Sequence, residues 1–292
     1  ILIITGSNAS ISKNFYKYVK KYLYKDYLKI IICSSNKFDK KLYKDKKIIF
    51  YKINFLNSKL KYKFDEFKKY EIDIFHSAAL VPSKAKLNKD FKLVNQINPI
   101  KFLKLLLRNK RKINVLYLSS VSVYDKFSKS KMIESSKKTK NDYYGISKFL
   151  FEKSIKKLSV NSIGLRIPVL LTLNVKNNFM SKLKEDIKKG KKIKIAFPNN
   201  DFNAIALDQD IFKIFNIFVK NDYIKYSHEV YNIGTTHPKS LSYLLKSIDI
   251  NKFDEIHYNI PPRLVVLNKI MHKFPKILTS TKKAFIKYLN EY

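Results

Sequence analysis

The sequence predicts an α/β protein, and three stretches predict it. A short apolar run, Ile1 to Ile4, leads through the turn Thr5-Gly6-Ser7-Asn8-Ala9-Ser10-Ile11-Ser12 into a helical segment that reaches about Leu23. Another, Ile72 to Phe75, ends in the small residues Ser77-Ala78-Ala79. A further one, Val115 to Leu118, ends in Ser119-Ser120 and is followed by Tyr144 and Lys148. The apolar residues Phe149, Leu150, Phe151 and Ile155 suggest a helix there, so that Tyr144 and Lys148, four apart, share one face.

At 292 residues the chain is long enough for one large α/β unit or two modest domains, and a hydrophobic fraction of 45% is that of a globular protein. The net charge of +37 is carried almost wholly by lysine, spread from end to end; the arginines are Arg108, Arg111, Arg166 and Arg263. Arginine is the residue that forks onto bases and phosphates. A specific nucleic-acid role is therefore not expected, although a diffuse positive field still attracts polyanionic ligands and anionic membrane surfaces. Abundant Lys, Ile, Asn, Phe and Tyr beside five glycines and no tryptophan match what an AT-rich coding sequence produces.

Cys33 is the single cysteine, which excludes an internal disulfide and a cysteine zinc site, and its place after Ile30-Ile31-Ile32 reads as core. The chain has no run of eighteen apolar residues, and it opens on a strand without a charged start and cleavage site. A soluble, cytoplasmic protein is expected, with the numbering starting inside a longer gene product because residue 1 is Ile1.

Tyr144 and Lys148 carry the candidate chemistry. A phenol titrating near pH 10 is a poor base at neutrality, but a neighbouring ammonium favours the phenolate and is expected to bring it toward the working range. Ser120, at the end of its strand, would hold the oxygen whose proton the tyrosine takes. The three describe hydride chemistry at an alcohol carbon. Tyrosine and lysine are so frequent here that the spacing arises by chance, and the order of the surrounding elements is what gives it weight.

With that order in place, the chain resembles the extended short-chain dehydrogenase/reductases of the NAD-dependent epimerase/dehydratase family, over nearly its whole length. The matching pieces are Thr5-Gly6, His76-Ser77-Ala78-Ala79, Val94-Asn95, Ser119-Ser120 with Val123-Tyr124, Tyr144-x-x-Ser147-Lys148, Leu165-Arg166-x-Pro168 and Tyr231-Asn232-Ile233-Gly234. The resemblance implies a doubly wound parallel, Rossmann-like sheet with a smaller C-terminal substrate lobe. Residues 1–171 with 204–234 would bind NAD or NADP, and 172–203 with 235–292 would bind substrate. It assigns Ser120, Tyr144 and Lys148 to catalysis, Lys148 also binding the nicotinamide ribose. It assigns Gly6, Asn8, Ala9, Ser10, Ile11, Ser34, Asn54, Phe55, Ala78, Ala79, Asn95 and Pro168 to the cofactor together with Tyr144 and Lys148. Ser120, Ser122 and Arg263 fall to the substrate, with no metal.

Departures from the family pattern matter as much. Ala9 and Ser12 stand where glycine is usual in the turn that lets pyrophosphate approach a helix N-terminus. The second strand, Leu28 to Cys33, runs into Ser34-Ser35-Asn36-Lys37 without the acid that would hold the adenine ribose and favour NAD. Hydroxyls and Lys37 tolerate a 2′-phosphate, so the choice between NAD and NADP stays open. The third strand, Lys47 to Ile53, leads to Asn54-Phe55. Val121-Ser122 replaces the Asp-Glu pair of sugar-nucleotide 4,6-dehydratases, which argues against dehydration. Val169-Leu170-Leu171-Thr172 replaces the usual Asn-x-Tyr-Gly.

Other features have plain readings. His76 is expected to be a packed histidine, and Asn95 to contact the active-site helix or a water. A helix from Phe91 to Leu107 would bury Ile97, Ile100, Leu103, Leu106 and Leu107, and one over 177–190 would turn Phe179, Leu183 and Ile187 inward. Asp125 to Lys140 reads as a loop over the site. Asp208 and Asp210 read as helix N-terminal charges rather than metal ligands. A strand Ser162 to Ile167, a helix Ile211 to Val219, a strand Val230 to Ile233 and a leucine-rich helix opened by Pro261-Pro262-Arg263 complete the chain. The expectation is an epimerase of a nucleotide sugar, at C4, in surface-polysaccharide supply, and a homodimer. The alternatives are an NADP-dependent 4-ketosugar reductase, a non-catalytic dinucleotide-binding protein and, third, an RNA-binding protein.

Overall fold

The computed structural model describes residues 1–35, 41–57, 67, 69–85, 87–108, 112–126, 131–174, 178–221, 227–259 and 261–291. Lys37 and part of the 125–140 stretch lie outside them. In chain order the elements are β1 (Leu2–Thr5), α1 (Ser10–Tyr22), β2 (Ile30–Ser34), β3 (Ile48–Lys52), β4 (Ile72–His76), α2 (Asn88–Lys92), α3 (Asn98–Leu107), β5 (Ile113–Ser120), β6 (Lys131–Met132), α4 (Tyr143–Ile155), β7 (Asn161–Ile167) and β8 (Val169–Leu171). There follow α5 (Phe179–Lys188), β9 (Lys194–Ile195), β10 (Asp201–Phe202), β11 (Ile205–Leu207), α6 (Asp208–Lys220), β12 (His228–Asn232), β13 (Lys239–Ser240), α7 (Leu241–Lys246), β14 (Asp254–Glu255), β15 (Leu264–Val265), α8 (Asn268–Lys273) and α9 (Thr281–Glu291).

Seven strands form one parallel sheet in the order β12-β7-β5-β4-β1-β2-β3. Leu2 pairs in register with Ile30 on one side and with Asp73 on the other, so β1 is central. Its four residues are all buried, as are all five of β2, which is why these strands are continuous apolar runs rather than alternating ones. The chain winds outward from β1 through β2 and β3, then returns to β4 and β5 on the other side. That reversal, at the carboxyl ends of β1 and β4, is where an open α/β sheet leaves a crevice. The doubly wound sheet expected from the sequence is what forms.

The chain divides into two compact units, 1–126 with 137–166 and 214–230, and 127–136 with 167–213 and 231–292. In the first, helix α1 buries Ile11, Phe15 and Val19 on one face, and Phe15 stacks on Phe75 at 3.9 Å between ring centroids. Ile3, Ile31, Ile74, Val115, Phe102 and Phe151 belong to its core. Helices α2 and α3 join through a wider, π-type turn over Leu93–Ile97, so the helical run expected from Phe91 to Leu107 starts earlier and is not uniform. In the second unit, Leu171, Met180, Leu183, Ile205, Leu244 and Phe285 form a core of their own.

The second unit departs from expectation in three places. Phe179 is 47% exposed and Met180 is fully buried instead, because α5 begins one residue after its cap, Asn178, and turns its first side chain outward. No leucine-rich helix follows Pro261-Pro262-Arg263: Leu264–Val265 pairs in parallel with Lys131–Met132, and the backbone of Val265 is held on both sides by the Asn203 side chain. The 125–140 stretch is therefore more than a loop, since Lys131–Met132 is a strand there. Asp208 accepts from Thr172, and Asp210 accepts from the Thr279 amide and hydroxyl at 2.9 and 3.0 Å, so both are engaged within the fold. No helix among the described residues is long and apolar enough to cross a membrane.

Candidate active site

A cavity of about 320 Å³ opens in the first unit at the carboxyl ends of β1 to β4. Gly6, Asn8, Ala9, Ser34, Asn54, Phe55, Ala78 and Ala79 line it, with Cys33, Ser35, Ser77, Leu80 and Lys84. Gly6 has φ +70°, and a Cβ there would lie 2.7 Å from the Ala78 backbone; only glycine lets the first turn close against the end of β4. Ala9 sits at φ −70°, ψ 142°, a conformation open to any residue, and it is exposed. Ser12 uses its hydroxyl on Ser77 Oγ and Thr5 O at the packing position where the family favours glycine. Ser10 opens α1, and Ile11 is buried as part of its packed face.

The second half of the site is where α4 meets the end of β5. Asp142 caps the helix by accepting from the Tyr144 and Gly145 amides at 3.0 and 3.1 Å. A Cβ on Gly145 would collide with Ser122 O, so the absence of a side chain sets how closely the helix approaches the 3₁₀ turn Val121–Val123. That approach places the Tyr144 phenol beside Ser120, close enough for the serine hydroxyl to oppose the rise of its pKa. Ser120 Oγ also accepts the Ser122 amide at 3.1 Å. One turn along, the Lys148 ammonium donates to Leu118 O at 2.9 Å and lies 5.9 Å from the centre of the Tyr144 ring. Ser120, Tyr144 and Lys148 are thus brought together.

Asn95, in the π-type turn, is buried and wholly occupied by protein: it accepts from the Leu80 amide at 2.7 Å and donates to Leu80 O and to Ser147 Oγ, both at 3.0 Å. It ties the segment after β4 to the helix of Tyr144. His76 is buried, shares a 2.8 Å hydrogen bond with Thr5 Oγ1 and stacks on Phe151. Pro168 and Arg263 belong to the second unit.

A sequence model described as the NAD-dependent epimerase/dehydratase family matches residues 2–199. The chain belongs to that family. Members of its fold class are similar in structure at low identity. An ADP-L-glycero-D-manno-heptose-6-epimerase from Helicobacter pylori superposes with a TM-score of 0.76 at 16% identity, over 99% of this chain and 94% of that one. WbmG from Bordetella bronchiseptica, in complex with NAD, gives 0.76 at 15%, over 100% and 94%. A UDP-glucuronic acid 4-epimerase from Bacillus cereus, in complex with NAD, gives 0.76 at 14%, over 99% and 98%. No curated protein sequence matches the chain.

The electrostatics of this family member correct one expectation. Tyr144 is not drawn toward neutrality; burial pushes its phenol up to about 12, the nearby Ser120 hydroxyl opposing and the Asp142 carboxylate adding to the rise. Lys148 shares the burial, which lowers its ammonium to about 8 against the supporting charge of Glu152. Its Nζ is spent on Leu118 O rather than on the phenol oxygen. Desolvation is the largest influence on both groups. His76 is depressed to about 3, by burial first and by the Lys148 charge second, and so is neutral at physiological pH.

Sequence reasoning missed the group behind this trio. Glu152, one turn beyond Lys148, accepts from Ser119 Oγ at 2.6 Å and from Arg166 Nε and Nη2 at 3.0 and 2.7 Å. Arg166 in turn donates to the Tyr124 hydroxyl at 2.8 Å. Burial works against the Arg166 charge, but the Glu152 carboxylate and Tyr124 more than offset it and hold it charged. The available signal was the spacing of Glu152 four residues after Lys148, coupled with Arg166 as a lone arginine in an apolar strand.

Two stability predictions follow from this geometry. Glu152→Ala leaves the Arg166 guanidinium buried without its partner and is expected to cost ~3–5 kcal/mol in urea unfolding; a loss below about 1 kcal/mol would refute the pairing. Lys148 has a folded pKa below its unfolded value of 10.5, so between about 8 and 10.5 the unfolded chain holds the extra proton and stability rises with pH. Below that window the buried ammonium costs roughly 3 kcal/mol, less about 1 kcal/mol returned by its bond to Leu118 O. Lys148→Met should therefore stabilise the protein by roughly 2 kcal/mol at pH 7, with the gain shrinking by pH 10.5. A variant less stable than the wild type at pH 7 would contradict the assignment.

Proposed function

We propose that the chain is a nicotinamide-dinucleotide-dependent epimerase of a nucleotide-linked hexose, acting at C4 through a keto sugar and supplying residues for surface polysaccharide. The observation that carries it is the meeting of Tyr144 with the end of β5, beside Ser120, with the Lys148 ammonium bonded to Leu118 O and 5.9 Å from the centre of the Tyr144 ring. Family membership supports the reaction class. Two of the similar structures are epimerases of nucleotide-linked sugars, and two are complexes with NAD.

The residues present fit such a cofactor. The cavity volume lies in the range of small-molecule sites, about 300–1,000 Å³, and Gly6 leaves a backbone cradle that a Cβ would fill. Gly6, Asn8, Ala9, Ser10 and Ile11 at the start of α1 would receive the pyrophosphate. Ser34, Asn54 and Phe55 would border the adenosine, and Ala78, Ala79 and Pro168 the rest of the dinucleotide. Asn95 would act on the cofactor only through Leu80 and the helix of Tyr144. Bound there, the cofactor supplies a hydride acceptor that later returns the hydride.

Every other step falls to the chain itself. Ser120 holds the C4 oxygen by hydrogen bonding. Tyr144 takes the hydroxyl proton as the carbon is oxidised, and gives it back to the keto oxygen after the sugar has turned its other face. A phenol whose resting form is neutral is suited to the second of these steps. The first needs positive charge nearby, which Lys148 supplies while Glu152 keeps that ammonium charged. Ser122 and Arg263 would contact the substrate, Arg263 clamping a phosphate. The division into a cofactor domain, 1–171 with 204–234, and a substrate lobe, 172–203 with 235–292, belongs to this proposal, as does a homodimer.

No carboxylate is present among the described lining residues of the cavity, and this favours a second reading, an NADP-dependent 4-ketosugar reductase. The two separate on cofactor use: an epimerase regenerates its cofactor at each turnover, whereas a reductase consumes it stoichiometrically. Tyr144→Phe is expected to reduce turnover of the sugar nucleotide by ~10²- to 10⁴-fold while cofactor binding persists. Full turnover in the variant, followed by chromatography of the epimeric sugars, would dismiss Tyr144 as the proton carrier.

A further inference from the structure

The ends of β1, β2 and β3 bring four neutral polar residues, Asn8, Ser34, Ser35 and Asn54, to one wall of the cavity. Ser34 is 5% exposed, and its hydroxyl accepts from Asn8 Nδ2 at 2.9 Å, which orients that hydroxyl between the turn and the strand. Asn54 Oδ1 accepts from the Leu56 amide at 3.0 Å, which leaves its amide hydrogens to donate. Among the described lining residues no carboxylate is present, and Lys84, on the rim, is the one charged side chain.

In a doubly wound fold the residue ending the second strand faces the ribose beside the adenine. A carboxylate there accepts hydrogen bonds from both ribose hydroxyls, and it repels a phosphate placed on one of them. Neutral hydroxyl and amide groups carry no charge with which to repel a phosphate monoester, and the Asn54 amide hydrogens are placed to donate to its oxygens. The local field has the same sign, since Lys84 is positive and the chain carries +37 overall.

We infer that this cavity takes the 2′-phosphorylated dinucleotide, NADP, at least as tightly as NAD, and that Ser34 is the residue that sets the preference. The inference rests on the reading of the cavity as a dinucleotide site. It differs from the family's description, which names NAD. It also separates cofactor choice from reaction type, because an epimerase retains whichever dinucleotide it holds.

The test is calorimetric titration of the full chain, freed of nucleotide, with NADP and with NAD at one fixed ionic strength. The expected result is a Kd for NADP no greater than that for NAD. Ser34→Asp should raise the NADP Kd by ~10-fold or more, as two like charges at contact distance require, and move the NAD Kd by less than about threefold. Tighter binding of NAD than of NADP by the wild type overturns the inference and leaves the dinucleotide site standing. Binding of neither overturns both. Equal loss of both ligands in Ser34→Asp, with thermal unfolding unchanged, removes Ser34 as the determinant. Where that variant fails to fold, the wild-type comparison decides alone.

Discussion

The contact between helix α4 and the end of strand β5 is the constraint on which the candidate chemistry depends. It is built from three kinds of interaction at successive turns: the missing side chain of Gly145 against Ser122, the Lys148 ammonium on Leu118 O, and the Glu152 carboxylate on Ser119 Oγ. Each joins the helix to β5 or to the turn that follows it, and together they hold Tyr144 beside Ser120. A helix shifted by one ångström would keep most of its apolar burial and lose the Lys148 and Glu152 hydrogen bonds to the strand. Burial alone cannot hold such a register, since it is non-directional; polar contacts with defined geometry can.

The same contact sets the electrostatic character of the site. Enclosing a phenol and an ammonium together shifts both toward their neutral forms, while the Glu152 carboxylate, itself paired with Arg166, works to keep the Lys148 ammonium charged. The site is therefore held in a state where the tyrosine keeps its proton. Chemistry that needs the phenolate has to draw on positive charge close at hand, that of Lys148 first, in a water-poor setting where such charge acts strongly.

The fold was legible because buried parallel strands announce themselves as unbroken apolar runs, and because the turn at Gly6 and the Ala78-Ala79 strand end mark where backbones must pass closely. Tyr144, Lys148 and Ser120 were legible from their order along the chain. The titration of Tyr144 was not, because a spacing of four residues says that two side chains are neighbours and says nothing of what water has been removed around them. Glu152 escaped notice for a related reason: its partners, Ser119 and Arg166, come from two different strands, and that three-way meeting exists only once the sheet is ordered. Leu264 and Val265 were misread as helix because two leucine-rich turns and a two-residue strand look alike until Lys131 and Met132 are seen beside them.

Glycine is scarce in this chain, five in 292 residues, and four of the five stand where an added Cβ would come within 3.0 Å of another atom. Gly6, Gly145, Gly164 and Gly234 press respectively on the Ala78 backbone, Ser122 O, the Tyr117 ring and Asn203 O, while Gly190 faces open space at positive φ. The composition therefore amounts to a tolerance map. Gly190 apart, the positions without a side chain are the touching points of the architecture, through which a change of a single methyl group would be transmitted to segments distant in sequence.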